Sequence, residues 1–106
     1  VADVKGRDVV GVDKVLWGND YPHYEGCYPY SRENMRFAFA DLEEKEVRMM
    51  LGENAAQLYD FDLEALRASA EEVNITPEQV AVPLPIEEIP ADSTCITFQR
   101  ARMMPG

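Results

Sequence analysis

Histidine occurs once in this chain of 106 residues, as His23, and that scarcity limits the chemistry available to it. A zinc site takes three or four His, Cys or carboxylate ligands. One histidine and two dispersed cysteines, Cys27 and Cys95, argue against a structural zinc site built within these residues. The cysteines form no Cys-x-x-Cys pair. Without secretory features they point to free thiols in a reducing, cytoplasmic compartment, a disulfide between them being the alternative. Basic charge is also scarce: ten Lys and Arg against twenty Asp and Glu leave a net charge of -10. Such a field repels nucleic acid and anionic membranes, and neither is expected as a partner. Long apolar runs are missing too. Stretches such as Val9-Val10-Gly11-Val12 are core-sized and far below the roughly 18 residues of a membrane span. No signal-peptide pattern is present, and the start Val1-Ala2-Asp3 without Met suggests a processed or truncated beginning.

What is present suits one small globular domain, with 46% hydrophobic and 28% charged residues. The acids are scattered through helical stretches (Glu43, Glu44, Glu46, Glu64, Glu71, Glu72), which reads as a solubilising shell before it reads as a surface for a basic partner. No internal repeat appears. Residues 1–13, broken by Gly6 and Gly11, read as a lead-in, and Lys14-Val15-Leu16-Trp17 as a short buried strand closed by Gly18. Residues 18–30 hold four tyrosines, two prolines and Gly26 beyond that first glycine, and form a long loop of the kind that carries function.

Helices are predicted near 31–41, 43–51 and 62–73. Met35, Phe39 and Leu42 set the buried face of the first, with Ser31 as its cap. Asp41 and Glu44 open the second with a capping-box spacing. Val47, Met50 and Leu51 face inward there, and Gly52 is its natural stop. Asp62 caps the third, whose stripe is Leu63, Leu66, Ala70 and Val73. Thr76-Pro77-Glu78-Gln79 has cap, Pro and Gln in the order that starts one helical turn. Beyond it, Pro83, Pro85, Pro90 and Pro105 make residues 82–106 read as an extended strap. The division is thus 1–73 for the strand, loop and helices, and 74–106 for a Pro-containing tail.

The informative segment is Val15-Leu16-Trp17-Gly18-Asn19-Asp20-Tyr21-Pro22-His23. A carboxylate just past a buried strand and before a Pro-containing loop sits where barrel enzymes gather their reactive groups. Such an Asp can ligate a divalent ion and accept a proton from water. Taken with Glu53-Asn54-Ala55-Ala56-Gln57-Leu58-Tyr59 downstream, the segment resembles the end of the amidohydrolase-2 branch of the amidohydrolase superfamily, over roughly residues 12 to 62. The resemblance implies a (β/α)₈ TIM-barrel parent and makes this chain a mainly α fragment of it, one short strand followed by terminal helices and tail.

The resemblance also assigns Asp20 as metal ligand or general base on the last strand, with Asn54-Ala55 on a terminal helix against the barrel wall. Asn19 stands where relatives often carry Ser or Thr. The family's His-x-His pair has no counterpart, and its barrel needs about 250 residues. The implied parent is therefore a metal-dependent hydrolase or decarboxylase acting on a small-molecule substrate with zinc or a similar ion. This chain by itself is expected to be inactive and to hold no metal. His23 and Tyr21 are candidates for the substrate pocket, with surface-loop packing as the plainer reading of both. Asp20 has its own plain reading as a turn-capping residue. Trp17 reads as core. An unpaired strand would invite pairing with a second copy, so a homo-oligomer is an expectation. The competing reading of the whole chain is a stand-alone acidic helical interaction module without catalysis.

Overall fold

The computed structural model describes residues 2–103. Short helices α1 (Ala2–Lys5) and α2 (Arg7–Val10) lead through a 3₁₀ turn at Val12–Lys14 into the long loop. Then come α3 (Ser31–Phe39), α4 (Glu44–Arg48), a π-helical turn (Met49–Glu53), α5 (Asn54–Tyr59), α6 (Leu63–Val73), α7 (Pro77–Val80), a 3₁₀ turn (Ile86–Glu88) and α8 (Ile96–Met103). The chain is mainly helical, as its periodicity predicts, and no strand occurs among the described residues.

The predicted strand at residues 14–17 is the first correction. Val15 has extended backbone angles, φ -98 and ψ 126, but a strand needs a neighbour to pair with, and here helices take its polar groups. Asn54 donates from Nδ2 to the carbonyls of Val12 and Val15, both at 2.8 Å. The Trp17 N–H donates to the Met50 carbonyl at 2.9 Å.

Helix α3 buries Met35 and Phe39, one turn apart, against Val4, Val47, Met50 and Val80. That is the first core. Tyr30 occupies the cap position of α3, and Ser31 lies inside the helix without capping it. Likewise Glu43, not Asp41, precedes α4, and no side chain caps it. Gly52 does not stop the helix either. The backbone widens into the π-helical turn and runs on into α5. The expected caps at Asp62 and Thr76 are present. Asp62 accepts from the Ala65 N–H at 3.1 Å, and Thr76 and Gln79 form a full capping box with Pro77 in the first turn.

The tail is the second correction. Residues 83–85 carry no regular structure, but α8 forms where prolines are absent. Phe98 and Ala101, three apart on one face, close a second core with Cys27, Leu84, Ile89 and Cys95. Trp17 packs half-buried against both cores. Arginines fasten the strap through its carbonyls: Arg36 to Val82 and Pro83 at 2.8 and 2.7 Å, and Arg102 to Pro90 at 2.7 Å. Proline supplies no N–H for a ladder, so side-chain donors to carbonyls are the available hold. Pro105 lies outside the described residues. The third correction is α6, whose expected inner stripe is exposed along its whole length.

Candidate functional site

The loop that follows Trp17 closes on itself. The Cys27 N–H donates to the Asn19 carbonyl at 3.0 Å, the His23 N–H to Asp20 at 2.7 Å, and the Gly26 N–H to His23 at 3.0 Å. Gly26 sits inside this ring. A methyl group there would lie 2.6 Å from the Asn19 oxygen, 3.0 Å from that of Asp20 and 3.1 Å from that of His23. Backbone oxygens cannot swing aside, so the close approach requires glycine. From outside, the Thr94 hydroxyl donates to the Tyr24 carbonyl and ties the loop tip to the C-terminal segment.

At the ring's start, Asn19 Oδ1 accepts from the Tyr21 N–H at 2.9 Å, an Asx turn. Asp20 takes a left-handed conformation, φ 62, which Asp and Asn adopt more readily than most side chains. The result displays the carboxylate: Asp20 is 71% exposed and His23 is 58% exposed, with Nδ1 of the imidazole 3.0 Å from Oδ2 of the carboxylate. The Glu25 N–H also points at Nδ1, from 3.4 Å. One nitrogen cannot donate to Asp20 and accept from Glu25. Only the Glu25 bond has hydrogen-bond geometry, so Nδ1 of the neutral ring accepts from Glu25, and the Asp20 contact becomes an ion pair when the ring is protonated.

Beside this pair lies an open cavity of about 240 Å³, lined by Trp17, Asn19, Asp20, Cys27, Asn34 and Cys95 among others. Asn34 orders its wall. Its Oδ1 accepts from the Trp17 indole N–H at 2.9 Å, and its Nδ2 faces Cys95 Sγ at 3.8 Å. Both thiols are free and buried, and burial pushes the Cys27 thiol up from its ordinary value. Tyr21, grouped with Asp20 and His23 by its sequence position, packs edge-on against Tyr28 with centroids 4.8 Å apart and is not among the cavity's lining residues. The structure therefore joins Asp20 to His23 and leaves Tyr21 beside them.

The family model described as Amidohydrolase matches residues 7–61. The chain belongs to the amidohydrolase family. The match takes in Asp20, the whole loop and Asn54, and stops short of α6. No curated protein matches the chain, and no solved structure does.

Amidohydrolases typically use divalent metal ions, so the donors in this member matter. Asp20 and His23 make two, and no cluster of three His, Cys, Asp or Glu able to hold an ion occurs among the described residues. A catalytic zinc takes three protein ligands, and this donor set falls short of one. Gly26, Asn34 and Thr94 were not flagged by the sequence: the partners of Asn34 and Thr94 lie 17 to 70 positions away, and those of Gly26, 3 to 7 positions away, are backbone oxygens that no residue type marks.

Proposed function

We propose that this amidohydrolase chain is the C-terminal segment of a hydrolase or decarboxylase for a small carbonyl or carboxylate substrate, and that Asp20 is its proton acceptor. The observation that carries the reading is the display of Asp20. A closed ring around Gly26 holds it in the left-handed region, with the His23 imidazole 3.0 Å from its carboxylate. A turn-capping Asp would spend that carboxylate on backbone N–H groups. Here His23 is its partner, and most of the group faces solvent.

In this reading Asp20 accepts the proton of a water attacking the substrate, and His23 orients the carboxylate without taking up its second oxygen. The two donors do not build an ion site in this chain, so the proton transfer is the part that these residues can perform. Free buried thiols favour a reducing, cytoplasmic setting, and no helix among the described residues is long and apolar enough to cross a membrane.

The test is Asp20→Asn in the active polypeptide that carries this segment, assayed on esters, amides and carboxylates. Loss of a general base costs roughly a factor of 100 to 10,000 in kcat, about 3 to 5 kcal/mol of barrier. KM should move far less, and His23→Ala should cost less than Asp20→Asn. Turnover near wild type in the Asn variant, with metal content intact, would reduce Asp20 to a turn residue.

A further inference from the structure

The two cysteines come from distant parts of the chain and meet over one face of α3. Cys27 closes the ring that carries Asp20, its N–H on the Asn19 carbonyl. Cys95 stands directly ahead of α8. Cys27 Sγ lies 3.6 Å from Ser31 Oγ, and Cys95 Sγ lies 3.8 Å from Asn34 Nδ2. Ser31 and Asn34 are both on α3, at a spacing of three that makes side chains neighbours, about 5 to 6 Å apart at Cβ. The sulfurs therefore sit side by side across one helical turn.

Two further bonds bracket the pair. Ahead of Cys27, the Tyr24 carbonyl accepts from the Thr94 hydroxyl; beyond it, the Tyr30 hydroxyl donates to Asp92 at 2.6 Å. The loop and the C-terminal segment are thus pinned to each other on both sides of the sulfurs. Both thiols are free, each is 4% exposed, and they share one core cluster. Burial first, and the Cys95 charge further, raise the Cys27 thiol, as two thiols within electrostatic reach of each other require. The one way in is shared as well, since both residues line the open cavity of about 240 Å³. No third His, Cys, Asp or Glu joins them in a metal-binding group among the described residues, so the pair falls short of an ion site.

We propose that Cys27 and Cys95 form a redox-active dithiol, closed to a disulfide by hydrogen peroxide entering through the cavity and reopened by a dithiol reductant. Burial of both sulfurs favours so small an oxidant over a protein partner. One thiolate attacks a peroxide oxygen, the O–O bond breaks, and a sulfenic acid and hydroxide result. The second thiolate then attacks the sulfenic sulfur and expels its oxygen as another hydroxide. The two hydroxides take up the two thiol protons. Two thiols are oxidised to one S–S bond, and peroxide is reduced to two waters. The new bond ties the Asp20 ring to the C-terminal segment, and the proposal stands whether or not Asp20 is catalytic.

The test is treatment of the full folded chain with hydrogen peroxide, read by intact mass, by thiol titration in denaturant and by urea unfolding. The expected product is a monomer lighter by two hydrogen atoms, with roughly none of its thiols left and a urea midpoint about 1 M higher. Dithiothreitol should reverse all three changes, and circular dichroism should show the same helical content throughout. Cys27→Ala and Cys95→Ala should each abolish the mass loss and leave a sulfenic acid that dimedone traps. The wild-type mass change decides the matter even where a variant fails to fold. Disulfide-linked dimers as the main product, sulfinic or sulfonic acids without the mass loss, thiols that react only once helicity is lost, or an unmoved midpoint would each overturn the proposal.

Discussion

Asn54→Ala tests whether the buried amide holds the segment that leads to Asp20. Asn54 is 5% exposed, and its Nδ2 spans two carbonyls, Val12 and Val15, at 2.8 Å each. Each such bond contributes about 1 kcal/mol net, and a carbonyl left dry and unpaired adds to the loss. Alanine regains about 0.5 kcal/mol of helix propensity in α5. The balance is a destabilisation of about 2 to 3 kcal/mol, a large share of the roughly 5 to 15 kcal/mol that folded domains possess. Urea unfolding followed by circular dichroism should show the midpoint falling by about 1 M at unchanged slope. Asn54→Asp sharpens the test. It keeps the shape but turns carboxylate oxygens toward two carbonyl oxygens, so it should cost at least as much as Ala near neutral pH. The cost should shrink in acid, where a protonated carboxyl can donate to one of them. A loss under about 0.5 kcal/mol for Ala, or an Asp variant milder than Ala, would refute the clamp.

Two further outcomes follow from the loop and the strap. Gly26→Ala places a methyl against three backbone oxygens and should open the ring at a cost of about 1 to 3 kcal/mol. The His23 imidazole signals in an NMR spectrum should shift with it, and unchanged signals would mean that the ring does not set the Asp20–His23 contact. Tyr30 donates its hydroxyl to Asp92 at 2.6 Å, and that bond, followed by desolvation and the nearby Asp92 and Glu33 charges, raises the phenol above its ordinary 10.0. A raised folded value favours the protonated form, so the contact's stabilisation is whole below about pH 10 and is lost as pH rises through the folded value. Tyrosinate absorbance should show one late-titrating tyrosine that Tyr30→Phe removes; a titration unaltered by that change would sink the assignment.

The helices that the sequence announced are those whose signals are local. Met35 and Phe39 mark a face by spacing alone, and Asp62 and Thr76 cap within three residues of themselves. Gly52 misled because its low propensity is a local cost, while the run through the π-helical turn is held by tertiary contacts: Met50 in the first core and Asn54 on the Val12–Val15 backbone. Leu63, Leu66, Ala70 and Val73 misled in the opposite sense. The stripe is real, but periodicity shows which face is apolar and not whether anything covers it. In the site, Asp20 and His23 were legible because three positions separate them. Asn34 and Thr94 act across the fold on groups whose nearness no spacing encodes, and Gly26 acts on backbone oxygens three to seven positions away that leave no mark in residue type.

The missing strand shows what the position of Asp20 does and does not depend on. A strand fixes its residues by pairing N–H and C=O groups with neighbours on either side. Here Val15 is extended without a ladder, and the groups a ladder would pair are taken by Asn54 and by the Met50 carbonyl. These holds come from α5 and from the π-helical turn, both inside the matched family segment. The path from Val12 to Trp17 is therefore anchored from the helical side, and the ring around Gly26 fixes the rest of the way to Asp20. A barrel partner on the other side of Val15 would add pairing without having to create this placement. It follows that disrupting Asn54 or Gly26 should disturb Asp20 in the isolated chain and in any longer polypeptide alike, whereas changes in α6, outside that segment, should leave it in place.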